Sequence, residues 1–227
     1  MGNQRGGCWV GWGVAIALTL VLAVATPVRA DVYICIGTSH PGTVDNLRVP
    51  QDASCTLNGT RVEGNIEVER NGTLHAYTVR VDGNIQSDGG ALINVYQNSS
   101  VGGSIQADNV GQVNVYSGTF VGGSVQIKIS GGASINGVEI DSGLLFDTNT
   151  RALLASDNTV GGDVQAFQNT GGLLIAGNTI GANLQCKSNV PAPAGWSNVV
   201  YGSMEDQCAA FDAPPPHRVF LPGVMRD

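Results

Sequence analysis

From Val62 onward, apolar and polar residues alternate in short bursts that return about every twenty positions. Starting each return at Val62, Val81, Val101, Val121, Ile140, Val160, Ile180 and Val200 gives spacings of 19, 20, 20, 19, 20, 20 and 20 residues. Two positions on, the residue is always small: Gly64, Gly83, Gly103, Gly123, Ser142, Gly162, Ala182, Gly202. Four positions on it is always aliphatic, from Ile66 and Ile85 through Leu184 to Met204. A second burst sits at positions twelve and fourteen: Leu74/Ala76, Ile93/Val95, Val113/Val115, Ala133/Ile135, Ala152/Leu154, Gly172/Leu174, Ala192/Ala194. Period-two bursts parted by "SDGG", "SGG" or "QNTGG" predict short strands and tight turns, with no room for a helix.

Such a unit has one apolar face and cannot bury it alone, so repeats must stack. The expected fold is all-β: a single-stranded parallel β-helix of about eight coils with ~20 residues per coil, a rod of roughly 38 Å at about 4.8 Å per coil. Even positions are expected to point into the column and odd positions outward. The small residue marks a coil corner that needs either φ freedom or a missing Cβ. A leucine-rich repeat would need L-x-x-L-x-L spacing and a helical return, and a calcium-binding roll would need G-G-x-G-x-D. The chain has neither.

The first thirty residues break the pattern. Arg5, the apolar run "VAIALTLVLAVA" and "VRA" ending at Ala30 read as a secretory signal peptide. The organisation expected is a signal peptide at 1–30, an N-terminal cap at 31–61, coils at 62–208 and a Pro-rich tail at 209–227. No second long apolar run follows, so no membrane span is expected in the mature chain, and its place is secreted, periplasmic or at the cell surface. Loss of Arg5 and Arg29 takes the formal charge from −7 to −9, which argues against nucleic acid as a partner. Loss of Cys8 leaves Cys35, Cys55, Cys186 and Cys208, an even number that reads as two disulfides in an exported chain. Pairing Cys35 with Cys55 and Cys186 with Cys208 closes loops of about one coil each, stapling the two ends; crossed pairings would have to span the rod.

Stacking turns each outward position into a row. Position five reads Glu67, Gln86, Gln106, Gln126, Leu145, Gln165, Gln185, Glu205, a row suited to an amide ladder. Position seven reads Glu69, Asp88, Asp108, Lys128, Asp147, Phe167, Lys187, an acidic strip that a lysine interrupts. Position fifteen reads Tyr77, Tyr96, Tyr116, then Asn136, Ala155, Ile175, Gly195, with His75, Asn94 and Asn114 beside the tyrosines. Aromatic rings flanked by amides and an imidazole are the chemistry of a sugar-binding surface, while tyrosines also stabilise strands simply by stacking. These six residues are the candidate ligand-binding set. No catalytic residue, metal site or cofactor is indicated, for the chain has no nucleophile elbow, Walker glycines or metal-spaced histidines.

The V-x-G-x-[IV] coil, with its near-constant length, resembles bacterial right-handed parallel β-helix proteins, with compact coils similar to those of the bactofilin-type polymer-forming family. The ending "IGANLQCKSN…EDQC" resembles that of exported β-helix proteins of uncharacterised function. The resemblance implies the fold and, from bactofilins, a capacity for self-association. The sequence therefore points to an exported, non-catalytic scaffold whose partner is a polysaccharide or cell-surface glycan along the Tyr/Asn row. The alternatives are a structural rod or self-assembling surface polymer and, using Asp88 and Asp108, a polysaccharide lyase or hydrolase.

Overall fold

The structure, a computed structural model, describes residues 1–2, 7, 31–39 and 42–212. The expected signal peptide lies almost wholly outside the described residues, as does the tail from Ala213 on.

The chain is a parallel β-helix with three sheets, and every strand pair is parallel. Sheet A has ten strands, from Val32–Ile34 to Met204–Asp206. Sheet B has nine, from Gly37–Ser39 to Ala194–Trp196, and sheet C has nine two-residue strands, from Thr43–Val44 to Val199–Val200. Each coil visits A, then B, then C. No α-helix occurs among the described residues; one 3-10 helix, Gln207–Asp212, follows the last strand.

Residues 31–61, expected to be a cap, are themselves coils: Val32–Ile34 pairs with Asn46–Val49, and that strand pairs with Ile66–Val68. The step is 14 residues from Val32 to Asn46 in sheet A and 18 from Val44 to Val62 in sheet C, so only the sheet A and sheet B positions of the second coil keep the later 19-residue spacing. The tail likewise starts later than 209, because Ala209–Asp212 belong to the 3-10 helix. Both cysteine pairs form as expected, Cys35–Cys55 and Cys186–Cys208, with Cα separations of 5.5 and 5.2 Å.

Aliphatic positions zero and four fill the column: Val62, Ile66, Ile85, Ile105, Leu144 and Leu184 are all buried, as is Phe146. At the second burst the inward register changes after the fourth repeat. Leu153, Ala155, Leu173 and Ile175 are buried, while Leu154 and Leu174, expected inside, are half-exposed. Ala155 and Ile175, expected outside, point in. The cause is a trade between corners. Val125 pairs with Leu144 and Ala133 with Leu153, so the A-to-B step grows from eight residues to nine. The step from B to C falls from six (Val115 to Val121) to five (Ala155 to Val160). The B-to-C step shortens first, at Ile135 to Ile140, so the coil from Val121 to Ile140 has 19 residues and its neighbours on either side have 20. Coil length alone does not show that the inward side of the next sheet B strand has turned over, as a one-residue slip makes it do.

The small residue at position two is explained by close approach, not by φ. A Cβ on Gly83 would lie 2.5 Å from both Gly64 O and Asn65 Oδ1 of the preceding coil. The φ-positive bend sits elsewhere, just after the sheet A strand, at Gly89, Asn109, Ile129, Thr148, Gln168 and Ser188. Ile129, with φ 51°, pays most for it, because its branched Cβ crowds that conformation.

Candidate functional site

Two outward surfaces carry chemistry. The first is the tyrosine row, at the edge of sheet B where the chain turns towards C. The strands Thr73–Tyr77, Leu92–Val95 and Gln112–Val115 align in register, placing His75 opposite Asn94 and Asn94 opposite Asn114. The three rings stack face to face: Tyr77 on Tyr96 at 3.9 Å between centroids and 5° between planes, Tyr96 on Tyr116 at 4.9 Å and 2°. The structure thus brings all six predicted residues together.

It also closes them on one another. The ring faces cover each other along the rod, leaving edges and hydroxyls outward. Asn94 is 5% exposed, and its Nδ2 lies 3.1 Å from His75 Nδ1 and donates to the Tyr96 hydroxyl at 3.3 Å. Asn114 Nδ2 donates to Asn94 Oδ1 at 2.8 Å, and Gln112 Nε2 donates to Asn114 Oδ1 at 2.9 Å. Hydrogen bonding by the Tyr77 hydroxyl, and then partial burial, push the Tyr96 phenol up to about 12. A pyranose cannot lie on a ring face that another ring already occupies. The row is a stacked, internally bonded strip.

The second surface lies over sheet A in the first half of the rod. An open groove of about 670 Å³ runs across strands Val32–Ile34, Asn46–Val49, Ile66–Val68, Ile85–Asp88 and Ile105–Asp108, a volume in the range of small-ligand sites. Amides (Gln86, Gln106), carboxylates (Glu67, Asp88) and guanidinium groups (Arg48, Arg70) line it. Gln86 Nε2 donates to Gln106 Oε1 at 2.7 Å, part of the expected outer ladder, which resumes as Gln165 to Gln185 and Gln185 to Glu205. Among the described residues no side-chain bond joins Gln106 to Gln126, which stands opposite it, and Leu145 takes the next place in the row. The Gln86–Gln106 bond has a direction: it leaves the Gln86 carbonyl oxygen and the Gln106 amide nitrogen without another side-chain partner among the described residues. Arg48 Nε lies 3.3 Å from Glu67 and 3.4 Å from Glu69.

Position counting puts Gln86, Gln106, Asp88 and Asp108 on one outward face, but it misses Arg48 and Arg70. Arg48 stands opposite Glu67 in the strand pairing, nineteen residues earlier, within the stretch set apart as a cap. The 19-residue step found between later coils is the signal that finds it. Arg70 is the corner residue after Glu69. Among the described residues, no group of three or more His, Cys, Asp or Glu side chains is arranged to hold a metal ion, and no helix is long and apolar enough to cross a membrane.

Compared with known proteins, the chain matches no family model, no curated protein and no solved structure.

Proposed function

We propose that the protein is an exported, non-catalytic β-helix scaffold that binds a polysaccharide lengthwise on the outward face of sheet A. The observation that carries this reading is the groove of about 670 Å³, with its row of side-chain amides flanked by charged groups. A linear glycan offers a hydroxyl donor and acceptor at every sugar, and strands about 4.8 Å apart repeat the protein's groups at a comparable step. The free ends of the Gln86–Gln106 bond supply an acceptor and a donor to such a chain. Export is supported by the signal-type N-terminus and by two disulfides, which persist in oxidising compartments. In a polysaccharide pull-down with the full chain, Gln106→Ala is expected to lower binding at least threefold and Tyr96→Phe to leave it unchanged. The reverse order would move the site to the tyrosine row.

A second reading, self-association, is favoured by exposed apolar side chains at both ends: Ile34 and Ile36 on the first coil, Trp196, Val199 and Tyr201 on the last. Sedimentation over a range of protein concentrations separates it from the first.

A further inference from the structure

The charges in the groove are unevenly satisfied. Four carboxylates line it, from Glu67, Glu69, Asp88 and Asp108, against the guanidinium groups of Arg48 and Arg70. Arg48 is taken up by Glu67 and Glu69, and Glu69 also accepts the Gln51 N–H at 2.9 Å. Asp108 lies 3.5 Å from the Lys128 ammonium at the rim. Asp88 is different. Its carboxylate accepts only Asn109 Nδ2, at 3.1 Å, and meets no cation among the described residues. It stands mid-groove, two residues after Gln86 and directly opposite Asp108 in the strand pairing.

An anionic glycan would meet a net negative wall here, and a neutral one would leave Asp88 desolvated without a counter-charge, a cost that rises as water is excluded. A ligand that presents hydroxyls to the two amides and a cation to Asp88 satisfies both. We propose that the groove takes an amine-bearing glycan, a linear polymer of hexosamine units with free ammonium groups. Its hydroxyls bond to the Gln86 carbonyl and the Gln106 amide, and an ammonium lies against Asp88. This specificity rests on the polysaccharide reading above. It adds to that reading the sign of the ligand's charge and the residue that reads it.

The test uses the full secreted chain and three oligomers of equal length: a β-linked glucosamine oligomer, its N-acetylated counterpart and an oligogalacturonate, with spermine as a simple polycation. The glucosamine oligomer is expected to bind at least tenfold more tightly than the N-acetylated one in low salt, with the advantage shrinking as salt screens exposed charge. Asp88→Asn is expected to remove most of that advantage. Asp141→Asn, which changes an exposed carboxylate outside the groove, is expected to keep it. Equal binding of the two hexosamine oligomers, preference for oligogalacturonate, spermine binding as tightly as the glucosamine oligomer, or an advantage that survives Asp88→Asn would each overturn the proposed specificity while leaving a polysaccharide ligand in place. No binding of any oligomer would overturn both readings.

Discussion

The two halves of the rod use the same side-chain chemistry in opposite directions. Up to Lys128 the coils turn it outward: all six ion pairs found among the described residues join groups between Arg48 and Lys128, and the tyrosine stack lies there too. From Ser130 on, the coils turn amides inward. Asn149, Asn169 and Asn189 stack in the corner between sheets A and B, each buried. The Asn149 N–H donates to Asn169 Oδ1 at 3.0 Å, that of Asn169 donates to Asn189 Oδ1 at 3.0 Å, and Gln207 closes the ladder. A second ladder, Asn158, Asn178 and Asn198, runs along the corner between B and C. The same corners in the first half hold Val79, Ser99 and Val110. The nine-residue corner that shifts the register is the one that houses the first ladder. At the A-to-B corner, length and chemistry therefore change together, and the second half adds two buried amide ladders, while the amides that bond coil to coil at a corner of the first half, Asn46, Asn65 and Asn84, stand exposed or half-exposed between C and A.

Breaking an inward ladder should cost most. Asn169→Ala removes the acceptor of the Asn149 N–H and side chain, and the donor to Phe146 O and Asn189 Oδ1. With two or more buried groups left unpaired, at about 1–3 kcal/mol each, the expected loss is about 3 kcal/mol in urea unfolding. Tyr96→Ala breaks both stacked pairs on the surface, and a loss of about 2 kcal/mol is expected, since such pairs contribute roughly 0.5–1.5 kcal/mol each beyond burial. If the tyrosine variant were the more costly of the two, the division into a structural half and a surface half would fail. The smallest effect is at the boundary. Ile129→Gly relieves a branched side chain at φ 51°, exposed at 60%, and a gain of about 1 kcal/mol is expected in the same assay. A loss there would mean that Ile129 packs against something the solvent-facing corner does not show.

Much of this was legible in the sequence. Aliphatics at positions zero and four give the column, the small residue at position two gives the close approach of coils, and the four cysteines give the end staples. The outward Gln86–Gln106 row was legible as well. What escaped was anything that depended on where inside a coil a residue was gained or lost. Leu153 and Leu154 are both aliphatic, so alternation alone could not say which of them faces in. The asparagines of "DTNT", "QNT" and "GNT" look like turn residues in one dimension, and only stacking at a constant step puts them inside. Tyr77, Tyr96 and Tyr116 were correctly read as a row, but the strand spacing that aligns them is also the spacing at which rings stack. The faces between neighbouring rings, both of Tyr96's among them, are thereby used up.

The central claim is that the binding face is sheet A of the first half. One spectrum can test it. In a two-dimensional ¹H–¹⁵N experiment on the full chain titrated with the glucosamine oligomer, the side-chain amide signals of Gln86 and Gln106 are expected to shift progressively, while those of Asn94, Asn114, Asn149 and Asn169 stay in place. Shifts confined to Asn94 and Asn114, or to residues beyond Ser130, would contradict the account.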